Sequence, residues 1–280
     1  MCRWIAYSGG PVPVAELLYG PEHSIVKQSL TSYEGAETTN GDGFGVGWYA
    51  EGATNPSRYR STEPAWNDGN LRDIVGELRS RLVMMHVRAS SGAPVQLTNC
   101  HPFRHGRLLF MHNGVVEHFH QIRRELLLGL DASLFDHVQG TTDSELLMYL
   151  AIERGLETDP KGALERAVAH IEQTARDAGL DPMIQMSVAV ADGEELCGVR
   201  YATHGEPRTL YHSSNLDTVR ELYPDVEQFR RLDSSTHMLV SEPMSKLPGV
   251  WNLVPAGSFV RFQDGAETIE PFEVGAIATA

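Results

Sequence analysis

Only three cysteines occur in this 280-residue chain, at positions 2, 100 and 197. Spaced so widely, they exclude a disulfide-stapled scaffold and point to a reducing cytoplasm. Basic residues are scarce too: 23 Lys and Arg against 37 Asp and Glu give a net charge of −14. Nonspecific nucleic-acid binding needs clustered positive charge against phosphate, so no nucleic-acid partner is expected. Long apolar runs are also missing. Gly9, Gly10, Pro11 and Pro13 interrupt the first one, so neither a signal peptide nor a membrane span is read there, and no membrane contact is expected. No fixed-period repeat, low-complexity linker or shift in composition divides the chain, which reads as one domain over residues 2–280.

Hydrophobic periodicity predicts strands over 2–7, 44–50, 82–89 and 107–112, and helices over 70–80, 116–128, 143–155 and 160–179. The last helix has Asp159 as N-cap, Pro160 at its first position and Gly179 as its stop. Asn113-Gly114 reads as a turn closing the strand before it. The second half reads as strands, over 186–191, 196–203, 209–213, 236–241 and 258–262. Strands flanking a helical middle predict an α+β fold of two sheets sandwiched by helices.

The most informative residue is Cys2. Aminopeptidases remove Met1 when the next side chain is small, and cysteine qualifies. The mature chain then begins with a thiol and a free α-amine on one residue. An α-amine titrates near about 7.7–8.0, so it can act as base for its own thiol. Attack on a carbonyl creates an oxyanion that needs preorganised donors. Asn113 offers a side-chain amide, and Gly114 a backbone N–H that glycine leaves open to close approach or to positive φ. Arg88 ends a strand and can fork onto a carboxylate. His86 shares its pleat face and reads as a satisfied structural histidine. Thr142 and Glu145 form a capping-box pattern. Asp143 suits the same helix start and can hold an ammonium.

Two other patterns point elsewhere. Gly43-x-Gly45-x-Gly47 lacks dinucleotide-loop spacing and sits in a strand, where glycine lets a second backbone or a substrate come close. His101-x3-His105 and His118-x-His120 carry ligand-type side chains, but Pro102 breaks the helix that would present the first pair. Neither a metal nor any other cofactor is expected.

Cys2-Arg3, His86-x-Arg88, Asn99-x-His101-Pro102, His112-Asn113-Gly114 and Thr142-Asp143-Ser144-Glu145 follow the order and approximate spacing of class II glutamine amidotransferase domains. The chain resembles that family over residues 2 to about 262. Asn40 to Trp48, Ser241-Glu242-Pro243 and Trp251 to Pro255 look like its stand-alone branch, which includes the ergothioneine-pathway γ-glutamyl hydrolase. The resemblance implies a four-layer αββα sandwich of the N-terminal-nucleophile hydrolase type. It implies Cys2 as nucleophile, with its amine as base through a water, and Asn113 and Gly114 as oxyanion hole. Arg88 would take the substrate α-carboxylate and Asp143 the α-ammonium, with His101 lining the pocket or standing just behind it. The substrate would be glutamine or another small γ-glutamyl compound. Ala89 stands where relatives fused to sugar-aminating synthases have an aromatic residue. Two alternatives remain at this level: a glutaminase subunit that passes ammonia to a separate synthase chain, and a non-catalytic regulatory protein that keeps the fold.

Overall fold

A computed structural model describes residues 2–34, 39–90 and 92–275. The chain opens with strand β1 (Arg3–Pro13) and two short helices, α1 (Val14–Tyr19) and α2 (Ile25–Leu30). Strands β2 (Phe44–Trp48) and β3 (Ser57–Ser61), helix α3 (Gly69–Glu77) and strand β4 (Arg79–Val87) follow. The middle holds β5 (Phe103–His105), β6 (Leu108–Val116), α4 (Phe119–Leu128), α5 (Ala132–Phe135), α6 (Asp143–Glu153) and α7 (Pro160–Asp177). Then come β7 (Ile184–Ala191), β8 (Glu195–Ala202), β9 (Tyr211–Ser213), α8 (Leu216–Leu222), α9 (Glu227–Arg231), β10 (His237–Val240), β11 (Trp251–Leu253), β12 (Ser258–Gln263) and β13 (Ala266–Pro271).

Two antiparallel sheets result, one in the order β11-β9-β10-β1-β4-β2-β3 and the other β13-β12-β8-β7-β6-β5. Side chains alternate across each strand. Trp4 and Ala6 of β1 and Leu82 and Met84 of β4 therefore face Leu109, Met111 and Phe262 of the other sheet in a shared inner core. The opposite faces are covered by helices. Leu18, Ile25 and Val75 pack on Ile5 and Met85. Leu126, Leu147 and Val168 pack on Phe110 and Val188. The four-layer αββα sandwich is the architecture that the strand-and-helix pattern predicts. Asp159 caps α7 by accepting from Gly162 N at 3.0 Å, and Gly179 leaves the helix at φ +74°.

Asn113-Gly114 is not a turn. β6 runs through both residues, with Asn113 opposite Ser187 and Gly114 opposite Met186. Apolar Val115 and Val116 continue the strand, and β7 supplies partners as far as Val116, so pairing overrides the local turn signal. Helix α4 accordingly starts at Phe119 rather than at 116. Between β9 and β10 lie two helices, α8 and α9, in a stretch to which the sequence reading assigns no element.

The alternating glycines of β2 do admit another backbone. A Cβ on Gly45 would overlap the His101 carbonyl oxygen and lie 2.8 Å from Arg60 Cγ. Gly45→Ala is expected to destabilise by about 1–3 kcal/mol, as overpacking does. Gly69→Ala, at the open start of α3 with nothing within 4 Å, is expected to be neutral or stabilising by up to about 1 kcal/mol. Urea midpoints at a common m value compare the two.

Candidate active site

One end of the sandwich opens into a cavity of about 620 Å³. Its lining includes Cys2, Arg88, Gly114, Asp143 and Ser144, with His118, Phe119 and His120 also contributing. Four separated stretches of sequence converge there because each reaches the same end of its sheet or helix. Cys2 precedes β1, Arg88 follows β4, Gly114 lies near the end of β6, and Asp143 begins α6.

Cys2 continues the pleat of Trp4 and Ala6 and faces the inner layer. Its thiol donates to the Ala89 carbonyl at 3.5 Å. Burial pushes the thiol above its ordinary range; the Arg88 and Arg3 charges pull the other way without cancelling it.

Gly114 owes its identity to crowding. A Cβ there would overlap the Gln185 carbonyl oxygen and His112 Nε2, and its φ is not in the left-handed region. Close approach, not positive φ, is what requires glycine. β5 pairs β6 only over Leu108 to Phe110, so the outer edge of β6 is open beyond that point. Val116 N points out of that edge, donating to Asp143 Oδ2 at 2.9 Å. By two-residue alternation the Gly114 N–H points the same way. Asn113 is 5 % exposed and shares the inner face of Leu109 and Met111. It does not line the open part of the cavity.

Arg88 is 4 % exposed. Its guanidinium donates to Ser90 Oγ at 3.1 Å, the Ala93 carbonyl at 3.3 Å and the Asp42 carbonyl at 3.4 Å. All three acceptors are neutral. Among the described residues no carboxylate forms an ion pair with it, so a buried positive charge faces the cavity. Asp42 also binds Ser90 N through Oδ2 at 2.7 Å and Arg88 O through its own N–H at 2.9 Å. The sequence reading missed this support. Its only trace there was Asp42 between two glycines.

Asp143 is held at both oxygens. Oδ2 accepts from Val116 N, and Oδ1 accepts from Ser144 N at 2.8 Å and Ser144 Oγ at 3.1 Å. Ser144 Oγ also lies 2.8 Å from His112 Nδ1. Helix α6 is buried from Ser144 to Ala151 without a break, which fixes its first turn. Thr142 caps it through Glu145 N at 3.3 Å. The other half of the capping box does not form. The Glu145 carboxylate reaches past Thr142 to the N–H groups of Gln139 and Gly140, at 3.1 and 2.5 Å.

His101 does not line the cavity. It lies behind, 3 % exposed, with its ring centroid 4.2 Å from that of His86 and 4.3 Å from that of Phe103, tilted against both. The other histidines do not converge: His105 meets His137 and Tyr149, while His118 and His120 sit at the cavity rim. His86 is not the satisfied histidine that the sequence suggested. Neither of its ring nitrogens, nor either of those of His101, makes a hydrogen bond of normal geometry among the described residues. Burial, then the neighbouring Arg88 charge, lowers His86 to about 3. Burial, then His86, holds His101 well below the ordinary imidazole range.

Two antiparallel sheets between helical layers, with one cavity at the end where the first strand begins, are the architecture of an N-terminal-nucleophile fold. The comparisons with known proteins agree with it. A family model described as class-II glutamine amidotransferases matches residues 22–274, and the chain belongs to that family. It is 32 % identical to "Probable glutamine amidotransferase DUG3" of Saccharomyces cerevisiae, over 97 % of this chain and 84 % of that one. It is 28 % identical to the γ-glutamyl-hercynylcysteine sulfoxide hydrolase of Mycolicibacterium smegmatis, over 97 % of this chain and all of that one. The solved structure of a glutamine aminotransferase class-II domain protein from Silicibacter pomeroyi superposes with a TM-score of 0.71 at 29 % identity, over 97 % and 99 % of the two chains. The glutamine phosphoribosylpyrophosphate amidotransferase of B. subtilis shares the fold at 14 % identity and a TM-score of 0.63, with half of its chain covered.

The buried histidines give stability a pH dependence. An unfolded histidine binds its proton near about pH 6.5, whereas folded His86 stays neutral down to about 3. The unfolded state therefore takes up more protons below about pH 6.5, and stability present above that pH is lost as pH falls toward 3. His86→Leu is expected to flatten the acid slope by up to about 1.4 kcal/mol per pH unit. Urea titrations across a pH series read this difference.

Proposed function

We propose that the chain hydrolyses the γ-amide of a γ-glutamyl compound through a thioester on Cys2. The observation that carries this reading is Arg88. It is a buried guanidinium without a carboxylate partner among the described residues, and it shares one cavity with a thiol and with Asp143. A free amino-acid end supplies the missing partners, with its carboxylate for Arg88 and its ammonium for Asp143.

After removal of Met1, the Cys2 amine takes the thiol proton, through a water. The sulfur then adds to the δ-carbonyl carbon. The oxyanion is received by the Gly114 N–H, which leaves the open edge of β6, and by the Asn113 amide on the inner face. Collapse breaks the C–N bond, and the amine leaves with the proton that the base carried. Water adds to the thioester, the same base accepts its proton, and the C–S bond breaks to give glutamate and free thiol. No metal or other cofactor enters these steps.

The cavity volume suits a ligand larger than glutamine, which favours a γ-glutamyl compound whose leaving amine is bulkier than ammonia. The mycobacterial relative is named for such a substrate. The described residues form one catalytic domain in this reading. The described cysteines are all free, which fits a cytoplasmic setting. No described helix is long and apolar enough to cross a membrane.

A panel of γ-glutamyl amides, with glutamate release followed by mass spectrometry, tests the reading. A glutamine-analogue electrophile is expected to label Cys2 alone in protein lacking Met1; labelling at Cys100 or Cys197 would sink it. Asn113→Ala is expected to lower kcat by about 10²–10³ with little change in KM. A pure KM effect would remove the amide from the oxyanion site.

Arg88→Lys keeps the charge but loses the fork, so kcat/KM is expected to fall clearly. Asp143→Asn is expected to lose substrate affinity worth about 2–5 kcal/mol. It also removes one acceptor from Val116 N or Ser144 N, so some stability goes with it. The discriminating substrate is a γ-amide without the α-amino group. Wild type is expected to handle it poorly and Asp143→Asn to leave it little changed. Equal damage to both substrates would make Asp143 purely structural.

A further inference from the structure

Ser241-Glu242-Pro243 takes no part in the chemistry above, yet it meets the first residues of the chain. The β1–β10 ladder ends at Ile5 opposite Val240. Beyond it side chains take over. Ser241 Oγ accepts from Trp4 N at 2.9 Å, and Ser241 N donates to Trp4 O at 3.0 Å. One residue further on, Arg3 Nε donates to Glu242 Oε2 at 2.6 Å, and Arg3 Nη1 donates to Cys2 O at 2.9 Å. We propose that Glu242 is a positioning residue for the nucleophile, acting through the Arg3 guanidinium on the backbone of Cys2. The proposal rests on Cys2 being that nucleophile.

Cys2 lies beyond both ladders of its strand, since the last pair on the β4 side is Arg3 with Val87. A chain end in that situation frays unless it is tied down. The guanidinium is a rigid planar fork, so holding Nε on a fixed carboxylate also fixes the direction of Nη1. The carboxylate is fixed in its turn. Oε1 accepts from Tyr33 N at 3.0 Å and Oε2 from Glu34 N at 3.2 Å. Arg3 and Glu242 are each 2 % exposed. Desolvation offsets much of the attraction in such a pair, so it contributes little net stability. What it does contribute is direction. It sets where the Cys2 carbonyl lies, and with it the thiol and the amine that must share one proton.

The test uses full-length protein lacking Met1, as wild type, Glu242→Gln, Arg3→Lys and Glu172→Gln. Glu172 is a buried carboxylate on α7 that binds Arg176, Tyr201 and Thr203, and it controls for lost stability alone. Arg3→Lys keeps the charge pair but cannot span Glu242 and Cys2 O as a fork, so it covers the case in which Glu242→Gln fails to fold. The readouts are Tm, the rate of Cys2 labelling by a glutamine-analogue electrophile, and kcat and KM on a γ-glutamyl amide. Both site variants are expected to lose about 10- to 100-fold in labelling rate and kcat with KM nearly unchanged, the loss that slight misplacement of a reacting group brings. Glu172→Gln is expected to lower Tm and leave labelling as in wild type. Should Arg3→Lys and any folded Glu242→Gln label at the wild-type rate, whatever their Tm, Glu242 only pins the Tyr33–Glu34 segment and the positioning role is overturned. Wild type that is not labelled at Cys2 overturns the hydrolase reading itself, and the positioning role with it.

Discussion

Double-sided pairing of the first strand is the constraint on which the rest depends. β1 lies between β10 and β4, and Trp4 and Ala6 lock it into the layer between the sheets. The chain start therefore cannot wander, and the end of the sandwich where it emerges becomes the place where chemistry can be assembled. β4 returns antiparallel and delivers Arg88 beside it. In the facing sheet, β5 is too short to cover β6 beyond Phe110, so backbone donors at that same end have no strand partner on the β5 side. α6, buried on nearly every side, brings Asp143 to the gap as part of the core rather than as a loop.

Local electrostatics, not overall charge, set up this end of the molecule. A net charge of −14 does nothing to hold a carboxylate. In the proposed reading Arg88 does, because its hydrogen bonds go to neutral oxygens and its charge is left for a ligand. Two imidazoles, tilted against each other, stand behind it, and burial disfavours their protonation. A second cation there would compete with Arg88 for a ligand carboxylate. Asp42 completes the arrangement from the other side, since its carboxylate is turned to the Ser90 N–H and leaves the guanidinium uncancelled.

Much of this was legible in the sequence, for a physical reason. Long helices with caps and stops, such as the one from Pro160, announce themselves through period and punctuation. Cys2, Arg88, Gly114 and Asp143, singled out by their neighbours in sequence, line one cavity. What stayed hidden depended on partners far away in the chain. Asn113-Gly114 looks like a turn until Ser187 and Met186 lie opposite it. The pairing of His86 with His101 and the reach of Glu145 to Gly140 have no sequence signature. Glu242 shows in the sequence only as part of a motif; its partner lies 239 residues away, beyond any local pattern.

That separation has a consequence for synthesis. β4 reaches β1 once fewer than 90 residues have been made, but the residues that tie Arg3 and Trp4 from the other side come near the end of the chain. At about 5–20 residues per second, roughly 8–31 s separate the end of β4 at Val87 from the synthesis of Glu242. Throughout that interval the start of the nascent chain has only one of its two edges covered. In the proposed reading, removal of Met1 falls to an aminopeptidase that can meet the chain start in this half-built state. The order in which the strands are translated thus leaves the first strand half paired until β10 folds onto it.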